Sequence, residues 1–193
     1  MKARLHPVAR WAPLLLLPAL AGCPFMPTKN DKPPDPVPVF QPRTSPENLL
    51  ANLKTAYKER AVAEYESLLA RDFTFVLSPE DAGQPGMPDA WGRNTEITVH
   101  QKMFDGDLVQ SLSLDFMAGQ RVFDPVDHYW TITISNVDLY LRGMTPDRPT
   151  LTTYRVQDGT SRFWFRQNSW NATGTNEPVW TIVKWEDSPI EQG

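Results

Sequence analysis

Tyr129-Trp130-Thr131-Ile132-Thr133-Ile134-Ser135-Asn136-Val137-Asp138-Leu139-Tyr140-Leu141 covers residues 129–141. Trp130, Ile132 and Ile134 alternate with polar neighbours at the period of a β-strand. Val137, Leu139 and Leu141 continue the alternation on the opposite parity. A bulge near Ser135-Asn136 keeps both sets on one face and bends the strand. Other stretches read as strands too. Leu108, Gln110, Leu112, Leu114 and Phe116 alternate with Val109, Ser111, Ser113 and Asp115. Residues 150–157 and 161–167 flank Asp158-Gly159, which reads as a hairpin turn. A last strand covers residues 179–185, after a polar loop over 171–177.

Upstream, the period changes to that of helices. Ser45-Pro46-Glu47 is a helix start, with a capping hydroxyl, proline at the first helical position and an acid in the first turn. Leu49, Leu50, Leu53, Ala56 and Tyr57 follow at helical spacing. Val62, Tyr65, Leu68 and Leu69 form a second amphipathic stretch, with Arg60 and Ala61 at the joint. Asp72-Phe73-Thr74-Phe75-Val76-Leu77 then turns extended. Residues 78–92 read as a loop whose Trp91 suits a lid or rim. Asn94 is expected to cap a third helix that carries Ile97, Met103 and Phe104 and stops at Gly106. Helices followed by four or more antiparallel strands make an α+β domain over residues 45–188, with a short tail at 189–193. A bent sheet wrapped on helices encloses a cone with an apolar interior.

Several of these stretches together resemble the NTF2-like superfamily of cystatin-like α+β folds, which includes SnoaL-like and ketosteroid-isomerase-like proteins. They are Ser45-Pro46-Glu47-Asn48-Leu49-Leu50 with Ala56-Tyr57, and Tyr65-Glu66-Ser67-Leu68-Leu69 leading into Asp72-Phe73-Thr74-Phe75. At the far end they are Phe163-Trp164-Phe165-Arg166 and residues 180–187, Trp-Thr-Ile-Val-Lys-Trp-Glu-Asp. The resemblance implies a curved sheet closing over helices, and a cone able to hold a small apolar ligand. It also implies self-association through the sheet face, where alternation places Trp164 opposite Phe163 and Phe165. Enzymes of this superfamily place a few buried acid–base groups in the cone. Their catalytic Asp and Tyr cannot be matched to positions of this chain, so no catalytic residue follows from the resemblance.

The residues themselves offer few chemical groups. His100 and His128 read as surface or edge histidines, and two lone histidines are not a metal site. Asp115 falls on the polar strand face, and Glu186-Asp187 reads as a charged strand terminus. Asn171-Ala172-Thr173 is loop chemistry. No phosphate-loop, dinucleotide or nucleophile-elbow motif is present, and no cofactor is expected. Aromatics supply the pocket candidates: Tyr57, Tyr65, Trp91, Phe104, Phe116, Trp130, Tyr154 and Trp180, with Phe163, Phe165 and Trp185 beside them. Two ionisable side chains pointing into the cone, or a buried histidine beside a carboxylate, would mark an enzyme. An aromatic-filled cone would not.

The N-terminal end carries a different message. Lys2, Arg4 and Arg10 precede an uncharged, Leu-rich run of about 12 residues, short of the ~20 that span a bilayer. This reads as a signal peptide over residues 1–22. It ends on Leu20-Ala21-Gly22-Cys23, which resembles the lipobox of bacterial lipoproteins at all four positions and contains the chain's single cysteine. The resemblance implies cleavage before Cys23 and lipid on its sulfur and new amino group. No thiol then remains for disulfides or metal. Eight prolines between residues 24 and 46 make residues 23–44 an extended tether, at about 3.1 Å per residue. The mature chain has 16 basic against 23 acidic residues, a balance of −7, without a basic run. That argues against nucleic acid as a partner. Pro24 takes the place of the aspartate that retains some lipoproteins at the inner membrane. The expected setting is therefore the bacterial envelope, lipid-anchored, at the outer membrane facing periplasm or cell surface. With no convergent catalytic groups in view, non-catalytic binding or envelope assembly is the expected role. An enzyme of SnoaL-like or ketosteroid-isomerase-like kind, acting on a hydrophobic small molecule, is the alternative.

Overall fold

The computed structural model describes residues 37–82, 84–145, 148–168 and 179–188. The signal, Cys23, most of the tether, the 171–177 loop and the tail lie outside the described residues. The compact unit begins at Pro38. Phe40 packs on the core, and the Gln41 backbone exchanges two hydrogen bonds with the Asn52 side chain.

Helix α1 (Pro46–Glu59) starts as its sequence predicts. The Ser45 hydroxyl accepts from the Asn48 N–H at 3.2 Å, and Leu49, Leu50, Leu53, Ala56 and Tyr57 are buried. Arg60 ends the helix in the left-handed region, at φ 53°, and its N–H returns to the last-turn carbonyls. Helix α2 (Val62–Leu68) follows and buries Tyr65 and Leu68. Leu69, expected on that helix, instead opens strand β1 (Leu69–Val76).

A single turn, α3 (Pro79–Ala82), and strand β2 (Ala90–Gly92) replace part of the expected 78–92 loop. Strand β2 pairs antiparallel with β1, with Trp91 opposite Phe75. This pairing fixes Trp91 in the sheet and carries the chain straight into helix α4 (Arg93–Phe104). Gly92, not Asn94, is therefore the N-cap, and it makes no side-chain capping bond.

Strands β3 (Val109–Ala118), β4 (Val122–Asp124), β5 (Tyr129–Thr145), β6 (Arg148–Asn168) and β7 (Val179–Ser188) complete the sheet. Its order is β2-β1-β7-β6-β5-β3, with β4 also on β5. Each of the four long C-terminal strands is antiparallel to its neighbour, and β1 joins parallel to β7. The architecture is α+β, with the helices N-terminal to a curved open sheet of seven strands.

Two opposed bulges shape the sheet. Ile134 faces Ser161 and Val137 faces Gly159, so β5 carries an extra residue at Ser135-Asn136. Leu139 then faces Val156, so β6 carries the compensating extra residue at Gln157-Asp158. Asn136 (φ 51°) and Asp158 (φ 57°) take the left-handed conformation that short polar side chains tolerate. The bulge in β5 is the one its alternation predicts. Asp158-Gly159 is not the expected hairpin turn. It lies within the unbroken 21-residue β6, because a bulge asks for the same positive φ as a tight turn. The register returns through the second bulge, and the two strands pair on both sides of it.

Beneath the sheet, one core joins Leu49, Leu53, Tyr65, Phe73, Ile132 and Phe163 with their neighbours. On the opposite face Trp164 is not exposed as expected. It packs with Ala70 and Val183, and the Lys184 ammonium and Arg162 guanidinium cover its ring at 4.3 and 5.7 Å. A bulge in β7 between Ile182 and Trp185 turns both Val183 and Lys184 to this face.

Candidate acid–base site in the cone

Helix α4 buries two polar side chains one turn apart, Glu96 and His100. Both Glu96 carboxylate oxygens accept hydrogen bonds, one from the Tyr65 hydroxyl and one from the Trp91 indole, each at 2.5 Å. The His100 Nδ1 lies 3.0 Å from the Glu96 carbonyl and 3.3 Å from the same carboxylate. Both are acceptors, so Nδ1 carries the proton and Nε2 is left as an acceptor. The Tyr57 hydroxyl, 2.6 Å from Nε2, therefore donates to it. The Tyr65 ring stacks on the imidazole at 3.9 Å between centroids. The result is a closed chain from Tyr57 through His100 to Glu96, with Tyr65 and Trp91 holding the carboxylate. Burial depresses the His100 pKa against the pull of Glu96 and keeps the ring neutral. Burial, reinforced by Glu96, raises the Tyr57 and Tyr65 hydroxyls well above their usual range.

Tyr57 connects this chain to a cavity of about 410 Å³. Its apolar lining is Leu114 from β3, Val137 and Leu139 from β5 and Val156 from β6, with Trp185 from β7. Its polar lining includes Ser78, Glu80, Asp81, Ser161 and Asp187. Asp187 is half-buried and structured by its neighbours. Its Oδ1 accepts from the Ser161 hydroxyl at 2.7 Å and from the Trp185 indole at 3.1 Å. Burial raises its pKa above the ordinary 3.8. The two hydrogen bonds oppose that rise, and the Asp81 and Glu96 charges add to it.

This placement corrects two expectations. His100 is buried beside a carboxylate and is not an edge histidine. It lies three residues after Ile97 and four before Phe104, on the buried stripe of α4. Asp187 is not a solvated strand terminus. It stands two residues after Trp185 and shares its inward parity, whereas Glu186 faces out and pairs with Lys184. Both signals are in the sequence once the buried face of each element is fixed.

Of the aromatic candidates, Tyr57 lines the cavity. Tyr65, Phe104, Phe116 and Trp180 fill the core, as do Phe163 and Phe165. Trp91 stacks on Phe75 at 4.5 Å and serves Glu96, so it belongs to the sheet and not to a mobile rim. Trp130 is half-buried beneath the Arg121 guanidinium. Tyr154 is exposed on β6. His128 is exposed at φ 58°, before β5, and Asp115 pairs with Lys54 at 2.6 Å. Among the described residues no group of three potential metal ligands converges, and no helix is long and apolar enough to cross a membrane.

No protein-family model and no curated protein sequence matches the chain. Solved structures do. A conserved protein from Planctomyces limnophilus aligns at TM-score 0.48 and 10% identity, over 74% of this chain and 91% of that one. A ketosteroid isomerase-like protein from Erwinia carotovora aligns at TM-score 0.47 and 14% identity, over 75% and 93%. An NTF2-like protein of unknown function in nutrient uptake, from Rhodospirillum rubrum, aligns at TM-score 0.43 and 15% identity, over 74% and 95%. These likenesses concern the fold alone.

The raised Asp187 pKa has a consequence for stability. A carboxyl whose folded pKa exceeds its unfolded value favours the fold fully below the unfolded value, near pH 3.8. That contribution is lost as pH rises through the folded value. Asp187→Asn keeps the acceptor for Ser161 and Trp185 and removes the titration. Thermal unfolding followed by circular dichroism should find the variant more stable than wild type at pH 7.5, with the gap closing toward pH 4. A variant less stable than wild type at pH 7.5 contradicts this placement of Asp187.

Proposed function

We propose that the chain is a lipid-anchored protein of the bacterial envelope whose cone binds a small molecule and moves a proton on it. The observation that carries this reading is that Tyr57 and Asp187 line one cavity, with Tyr57 backed by buried His100 and Glu96. Two ionisable side chains in the cone and a histidine buried beside a carboxylate favour the SnoaL-like, ketosteroid-isomerase-like alternative over non-catalytic binding. A carboxyl whose pKa is raised by burial is suited to act as acid and base by turns. In this reading Asp187 exchanges a proton with the ligand. A proton accepted at Tyr57 is matched by transfer of the hydroxyl proton to His100 Nε2. The imidazolium so formed lies 3.3 Å from the Glu96 carboxylate.

Anchoring rests on Leu20-Ala21-Gly22-Cys23 and on the proline-rich stretch after it. Two or three acyl chains, at about 0.8 kcal/mol per buried CH₂, hold a protein stably, and a single chain does so only marginally. The tether then sets the cone away from the bilayer, and Pro24 supports placement at the outer membrane.

Two experiments address the two halves separately. Cys23→Ala should leave the protein soluble or unprocessed on fractionation of expressing cells. Complete processing and membrane retention of that variant would refute the anchor. For chemistry, hydrogen–deuterium exchange at the α-carbon of cyclohexanone and of its amine-bearing analogue tropinone can be followed by proton NMR. Wild type should accelerate exchange of at least one ketone over buffer, and Asp187→Asn should lose about 10² of that acceleration or more. Exchange at the buffer rate with both ketones would return the reading to non-catalytic binding, and acceleration unchanged in Asp187→Asn would overturn the proton-transfer role of Asp187.

A further inference from the structure

The charge of the cavity is one-sided. Glu80, Asp81 and Asp187 all line it. Arg155 is the one cation on its wall among the described residues, and it is committed elsewhere. Its Nε and Nη2 bind the two Asp138 oxygens at 2.9 and 2.8 Å. Asp187 spends a single oxygen, Oδ1, on Ser161 and Trp185. Among the described residues no donor reaches its Oδ2. Asp81 turns one oxygen to the Ser78 hydroxyl at 2.9 Å. Leu114, Val137, Leu139 and Val156 add hydrocarbon to the same lining. The indole of Trp185 touches the carboxylate through its N–H and forms part of the cavity lining.

We propose that the ligand of this cavity is an amphipathic cation, a protonated amine seated at Asp187 with its hydrocarbon body on Val137, Leu139 and Val156. The proposal rests on the reading of the cavity as a ligand site and specifies the chemistry of what enters it. An anionic ligand would meet three carboxylates with no free cation on the described wall to offset them. A neutral hydrocarbon would cover the Asp187 carboxyl and leave it without a counter-charge, a costly arrangement in a desolvated pocket. An ammonium group supplies hydrogen to the open Oδ2 and offsets the repulsion that Asp81 and Glu96 exert on Asp187. The volume of about 410 Å³ suits one small molecule.

The test uses the full lipidated chain, purified in a neutral detergent, and three probes of matched shape: phenethylammonium, 2-phenylethanol and 3-phenylpropionate. Calorimetry at pH 7 should give phenethylammonium an affinity at least tenfold above that of the alcohol, with the carboxylate weakest. Asp187→Asn and Asp81→Asn should each weaken the ammonium at least tenfold and leave the alcohol within about threefold of its wild-type affinity. If the alcohol equals the ammonium, or the carboxylate binds best, the ligand class is overturned and the cavity remains a binding site. If ammonium binding is unchanged in both variants, the cation binds elsewhere and the proposal also falls. If none of the three probes binds, the reading of the cavity as a ligand site falls with it.

Discussion

Two bulges of opposite sense, at Ser135-Asn136 in β5 and Gln157-Asp158 in β6, are the constraint on which the rest of the molecule depends. Each adds one residue to one strand, and together they cancel, so the strands pair on both sides of the bend. A bulge increases local twist and bends its strand, and this pair lies where the sheet must curve over the helices. The cavity wall is built from the same region, since Val137, Leu139, Val156 and Gly159 flank the two bulges. Gly159 packs closely between Val137 and Val156, leaving room for a Cβ only at ordinary van der Waals contact. A Cβ at that position would meet the Val137 side chain at 3.4 Å and that of Val156 at 3.5 Å. Curvature and cavity are thus one feature of β5 and β6.

Behind that wall, the fold carries an unusual electrostatic load. Glu96 is 1% exposed and His100 is 4% exposed. Taking a carboxylate out of water costs roughly several kcal/mol unless partners replace the lost hydration. Here Tyr65, Trp91 and His100 all reach Glu96, and Tyr57 completes the chain at the cavity. A network satisfied this fully rigidifies its members. It fixes the Nδ1–H tautomer of His100 and the orientation of Tyr57. A core of hydrocarbon would have stabilised α4 with fewer demands. The network is therefore better understood through what it holds at the cavity than through stability.

Much of this could be read in the residues, and the failures have physical causes. Ser45 capped α1 as its hydroxyl and the following proline dictate, and the parity change across Ser135-Asn136 located a real bulge. Asp158-Gly159 misled because its signal is for positive φ, which turns and bulges share. Trp91 was assigned to a loop because a three-residue strand leaves almost no periodic trace. His100 reads as an edge histidine and Asp187 as a charged strand terminus until the buried face of each element is known. Spacing from Ile97 and Phe104, and from Trp185, places them inward. Their approach to Tyr57, though, joins α1, α4 and β7 across long sequence separations, and no local pattern encodes it.

The central claim is that Asp187 is a cavity carboxyl held partly out of water beside other carboxylates, ready to exchange a proton or meet a cation. The carbon-13 NMR signal of its side-chain carboxyl, followed from pH 3 to pH 8, tests this most directly. The account predicts a titration midpoint above the ordinary 3.8, falling when phenethylammonium is added. A midpoint at or below 3.8, unmoved by the amine, would contradict it.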